Sequence, residues 1–180
     1  ISRIGSGSAS RSVYGGVNFW GKHKELNNSS DLYSVKLSKN ISPKFNNYRD
    51  VILIIDDKEK EVSSSVGHGL MNDNPFSKVR FNAANNNITK LLQILASGNL
   101  NDFCELVEGE ALMLHSLMMN SSPSYILMKP ETLEVIERIQ DFRENSKIPV
   151  CFTLDAGANV HVLFPENFSK EVMTFIEKEL

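Results

Sequence analysis

Cysteine is scarce: only Cys104 and Cys151 occur in 180 residues, too few for a disulfide framework. They lie far apart in apolar, helix-like and strand-like surroundings and read as reduced core residues of an intracellular protein. No His/Cys cluster has the spacing of zinc ligands, and no Ser-His-Asp order suggests acyl transfer, so no protein-bound metal is expected. No apolar run approaches the ~20 residues that span a bilayer, which leaves out a membrane partner. There is no basic block, and the formal net charge is −3; nucleic acid is excluded as the main partner. No internal repeat or low-complexity tract appears. What remains, with 41% hydrophobic and 23% charged residues, is the composition of an ordinary globular domain.

The stretch with the most chemistry comes first. Gly5-Ser6-Gly7-Ser8-Ala9-Ser10-Arg11-Ser12 is a Gly/Ser loop running into a helix-compatible segment that ends at Gly15-Gly16. Such a loop gathers free backbone N–H groups at the positive end of a helix, a place where anions bind. Ser6 and Ser8 add hydroxyl donors, and Arg11 offers a forked contact to a carboxylate or phosphate. A capped helix behind a flexible loop explains the same pattern. A second candidate is Asp155, set between the apolar strand Cys151 to Leu154 and the small-residue turn Ala156 to Asn159. There an acid is expected to be partly desolvated and able to orient or deprotonate a hydroxyl; a residue capping its own turn is the plainer alternative. Ser63-Ser64-Ser65 reads either as contacts to a second anion or as a solvated loop. His115, at helical spacing from Ala111 and Leu114, reads as a packed core histidine.

Strand and helix signals alternate along the chain. Leu32 to Leu37 alternates as a half-buried strand does. Asp50 to Asp56 holds a β-branched run bounded by acids, the pattern of a central, fully buried strand. Helices are expected from Pro75 to Leu95, Leu100 to Met119, Glu131 to Glu144 and Asn167 to Leu180. In the second of these, Phe103, Leu106, Val107, Leu114 and Leu117 mark the expected buried stripe. Strands at 148–154 and 160–164 complete an α+β fold, two-layer, with a sheet covered on one face by helices.

Three segments in order carry a family resemblance. Gly5 to Gly16 closely resembles the GSGSAxRSxxGG signature of diphosphomevalonate decarboxylases, members of the galactokinase/homoserine kinase/mevalonate kinase superfamily. Lys60 to Gly67 is similar to that family's serine-rich substrate loop. Phe152 to Asn159 is similar to its F-T-x-D-A-G-P-N segment, and His115 sits where the family has a helix histidine. The resemblance implies an antiparallel-type sheet of the superfamily's C-terminal domain over residues 21–180. Residues 1–20 would be the end of an N-terminal domain whose ATP phosphate loop lies upstream of Ile1.

The implied reaction takes ATP, Mg²⁺ and (R)-5-diphosphomevalonate and gives isopentenyl diphosphate. By resemblance, Asp155 is the acid beside the substrate's tertiary hydroxyl and Arg11 holds its carboxylate. Ser6, Gly7, Ser8 and Ser64 contact the substrate's anionic groups. Ser65 stands where some relatives have arginine, which leaves open a monophosphate or a diphosphate substrate, and Ala158 replaces the turn's proline. A cytoplasmic homodimer is the expected setting. The alternatives are a mevalonate or phosphomevalonate kinase, a phosphomevalonate decarboxylase, and a non-catalytic anion-binding domain.

Overall fold

Alternating apolar residues on two short strands, Val160, Val162 and Phe164 facing Phe152 and Leu154, organise the structure. In the computed structural model, which describes residues 8–37, 40–57 and 74–180, these strands pair with a third. β1 (Asn18–Gly21) and β2 (Ser30–Lys36) form a two-stranded antiparallel ribbon. β3 (Tyr48–Leu53), β4 (Cys151–Leu154) and β5 (Val160–Pro165) form an antiparallel sheet of order β3-β5-β4. The helices are α1 (Ser77–Ser97), α2 (Leu100–Met119), α3 (Pro130–Ser146) and α4 (Ser169–Glu179). The fold is α+β with antiparallel sheets, as the alternation of signals implies.

One face of the three-stranded sheet makes the main core. Val160 and Val162 are fully buried with Phe152 against Val135, Ile136 and Ile139 of α3 and Val172 and Phe175 of α4. Phe142 and Phe175 stack with ring centroids 4.2 Å apart. Each large side chain taken from water here contributes on the order of 1.5–3 kcal/mol.

The run at 50–56 departs from its expected place. β3 is an edge strand among the described residues, paired with β5 alone. Val51 and Leu53 pack on the core, while Ile52 and Ile54 are exposed at 50% and 63%. A continuous β-branched run does not say which neighbours a strand will find. The central strand is β5, whose alternating pattern carries its buried face.

α2 also buries a different stripe. Cys104, Glu108, Ala111, His115 and Met118 are its buried residues together with Leu117, whereas Phe103, Leu106, Val107 and Leu114 are half-buried along its flank. Two of the buried positions are polar, so hydrophobicity alone misplaces the stripe by part of a turn. The polar pair is tolerated because α2 lies along β4. Glu108 accepts a hydrogen bond from the outward N–H of Phe152 and pairs with Arg143 of α3. A helix that satisfies a strand's free edge in this way hides it from other chains.

Cys104 and Cys151 are free and buried, as expected of core thiols. The fold brings them side by side: the hydrogen bond between the thiols pushes Cys151 up, with burial adding to it, and lowers Cys104 against the opposing effect of burial. Between α1 and α2, Gly98 ends the first helix at φ 73°, where a Cβ would lie 2.4 Å from Ser42 Oγ. Only glycine fits both the conformation and the space.

Candidate active site

The site is built on the turn from Asp155 to Asn159, which three side chains from three parts of the chain hold in place. His115 of α2 donates from Nε2 to the Asp155 carbonyl at 3.0 Å. Thr132, in the first turn of α3, donates its hydroxyl to the Ala158 carbonyl at 2.8 Å and accepts from the Lys129 N–H at 3.0 Å. Asn159 Oδ1 accepts the N–H groups of Ile55 and Asp56 at 2.9 and 3.0 Å. Within the turn, the Gly157 N–H closes onto the Asp155 carbonyl at 2.8 Å. With both backbone and flanks pinned, the Asp155 side chain is left to project outward.

It projects further than expected. The carboxylate is 80% exposed, not partly desolvated, because the small residues after it cover the turn's backbone and leave the acid standing clear. Among the described residues, His161 of β5 faces it, with Nε2 3.8 Å from Oδ2. His161 Nδ1 in turn lies 3.1 Å from both carboxylate oxygens of Asp50 on β3. The three groups come from β3, β5 and the β4–β5 turn. Residue type and local pattern mark neither Asp50 nor His161 as a site residue. The signal for His161 was parity: it falls between Val160 and Val162 on a strand whose even positions are buried.

His115 is the packed core histidine anticipated, 2% exposed. Burial pushes its pKa below the ordinary imidazole value, with the hydrogen bond to Asp155 opposing. Its folded form therefore binds fewer protons than the unfolded chain as pH falls through about 6.5, so its contribution is full above that value and lost on acidification. In urea titrations between pH 7 and pH 5, His115→Gln is expected to lose less stability on acidification than the parent. Equal slopes would contradict a buried neutral imidazole.

The first candidate segment is only partly described. Ser6 and Gly7 lie outside the described residues, as do Ser64 and the whole stretch from Lys60 to Gly67. Ser8 begins a helix, Ser8–Val13, but this is a six-residue 3₁₀ helix, not an α-helix. Its tighter winding and brevity give it little dipole to offer an anion. The helix packs on the β1–β2 ribbon, where the Ser34 hydroxyl donates to the Ser10 carbonyl. Gly16 follows with φ 85°. Arg11 is exposed near its end. Among the described residues, no hydrogen bond or ion pair joins Arg11 to Asp155.

The architecture and the pinned acidic turn define a class. The chain superposes on the mevalonate diphosphate decarboxylase of Staphylococcus aureus with a TM-score of 0.86 at 26% identity, covering 99% of this chain and 52% of that one. A structure described as MDDEF in complex with MVAPP, AMPPCP and magnesium matches with a TM-score of 0.86 at 25% identity, over 99% and 53% of the two chains. The chain belongs to the family described as the mevalonate 5-diphosphate decarboxylase C-terminal domain, whose model matches residues 50–180.

Curated relatives agree. A diphosphomevalonate decarboxylase of Ganoderma lucidum is 24% identical over 99% of this chain and 46% of its own length. One from Candida albicans is 22% identical over 99% and 49%. A phosphomevalonate decarboxylase of Haloferax volcanii is 23% identical over 90% and 47%. The chain thus spans about half the length of the relatives it matches.

Proposed function

We propose that this chain is the C-terminal part of an ATP-dependent decarboxylase that converts (R)-5-diphosphomevalonate to isopentenyl diphosphate. The observation that carries the reading is the turn at Asp155. It lies inside the family-matched region, it is clamped by His115, Thr132 and Asn159, and it presents one exposed carboxylate. A rigid backbone under an exposed acid suits a group that must meet a substrate hydroxyl at a set distance.

In this reading Asp155 orients the tertiary hydroxyl and takes its proton. Arg11 holds the substrate carboxylate so that its electrons align with the departing phosphate. Ser6, Gly7, Ser8 and Ser64 bind the remaining anionic groups. ATP, when bound, supplies the phosphoryl group that makes the hydroxyl a leaving group. The described residues contain no cluster of three or more His, Cys, Asp or Glu side chains able to hold a metal ion. In this reading magnesium would accompany the nucleotide. Residues 1–20 close an N-terminal domain, residues 21–180 form the C-terminal one, and the enzyme works as a cytoplasmic homodimer.

The test is an assay of the full-length protein. ATP-dependent CO₂ release from diphosphomevalonate is expected, and the 180-residue polypeptide alone is expected to release none. ADP formation without CO₂ would point to a kinase of the same superfamily. A second reading has its own support: a Haloferax volcanii relative is named a phosphomevalonate decarboxylase. A higher kcat/KM on the monophosphate than on the diphosphate would select it.

A further inference from the structure

The carboxylate–imidazole–carboxylate row formed by Asp50, His161 and Asp155 has no part in holding the turn, which His115, Thr132 and Asn159 already fix. A carboxylate accepts hydrogen bonds and does not donate them, so the Nδ1 facing both Asp50 oxygens at 3.1 Å carries the hydrogen. That leaves Nε2 as the atom turned to Asp155, 3.8 Å away. The arrangement repeats the logic by which an acid fixes an imidazole's tautomer and steadies the imidazolium it becomes.

We propose that His161, oriented by Asp50, is the positioning and proton-relay residue behind Asp155. The inference rests on the reading of Asp155 as the acid beside the substrate hydroxyl. The hydroxyl O–H bond breaks as the proton moves to the Asp155 carboxylate. That proton then passes to Nε2 of His161, restoring the carboxylate, while the Nδ1–H stays bonded to Asp50. The imidazolium then gives its Nε2 proton to water; the side chain is 19% accessible. With the substrate hydroxyl seated on Asp155, as that reading has it, the imidazole on its other side is an outlet for the proton. The 3.8 Å gap exceeds a hydrogen bond, as is common before substrate closes a proton-transfer pair. Facing His161 across the sheet are Thr153 of β4 and Ile52 of β3, neither of which titrates.

The experiment uses the full-length protein and ATP-dependent CO₂ release. His161→Ala should lower kcat by roughly 100-fold, the lower end of what a placed proton-transfer group contributes, with KM for both substrates within about twofold. Free imidazole added to this variant should restore turnover in a saturable way, which a merely structural role would not allow. Asp50→Asn, at a half-exposed position that does not endanger folding, should lower kcat in the same sense. Near-parental kcat in either variant, or no response of His161→Ala to imidazole, would overturn the relay. Asp155→Asn separates the two levels: if it is inactive while His161→Ala is not, only the relay is wrong; if it keeps full turnover, the assignment of Asp155 fails and the relay with it.

Discussion

Asp155→Asn in the full-length protein is expected, on the proposed function, to lower ATP-dependent CO₂ release by roughly 10²–10⁴-fold, the scale of a positioned acid–base group. The structure makes this substitution a clean one. The bonds that hold the turn use the backbone carbonyl of Asp155, from His115 and Gly157, and asparagine keeps that carbonyl. The side chain is 80% exposed, so removing its charge leaves no buried group unpaired. The melting temperature should stay within a degree or two while kcat falls. Arg11→Gln belongs to the same scale if its guanidinium steadies the substrate carboxylate. Turnover near the parental value in Asp155→Asn would show that the chemistry uses another acid.

The largest expected effect on stability comes from Glu108→Ala. Glu108 is 5% exposed and its carboxylate meets the Arg143 guanidinium in a forked pair, with the outer contact at 2.9 Å, while also taking the Phe152 N–H. Arg143 donates in addition to the Val150 carbonyl at 2.8 Å, and the pairing holds its guanidinium above its ordinary pKa. Cutting one partner from a buried ion pair costs about 3–5 kcal/mol, because the other charge stays behind. That is a large share of the 5–15 kcal/mol typical of a domain. Urea denaturation of Glu108→Ala should show a midpoint shift of this order, and Glu108→Leu with Arg143→Met should recover much of it. A loss below about 1 kcal/mol would mean that water reaches the pair and shields it.

Elements with strong local signals were legible in advance. α2 runs from Leu100 to Met119 as the periodicity implies, with Asn99 capping its start through Asp102. β2 and the pair β4 and β5 follow from alternation and apolar runs. The core histidine at 115 and the buried thiols came from residue type and neighbours; the exposure of Asp155 did not, because the local run of apolar residues says nothing of which side of the turn faces water. The edge position of β3 did not, because a β-branched run fits any strand with one covered face. Nor did the stripe of α2, since Glu108 and His115 count as polar in any periodicity and are buried only where Arg143 and the Asp155 carbonyl wait for them.

By itself the sequence determined most of the elements, their order and the family, since these depend on neighbours close along the chain. Tertiary structure alone decided that Asp50 and His161 stand behind Asp155, that Thr132 clamps Ala158, and that Glu108 seals the edge of β4. Apart from His161 and Asp155, which are neighbours across the β4–β5 turn, those partners are separated by tens to over a hundred residues. They meet only because antiparallel register and helix packing, set by the buried faces of β4 and β5, bring them to one place.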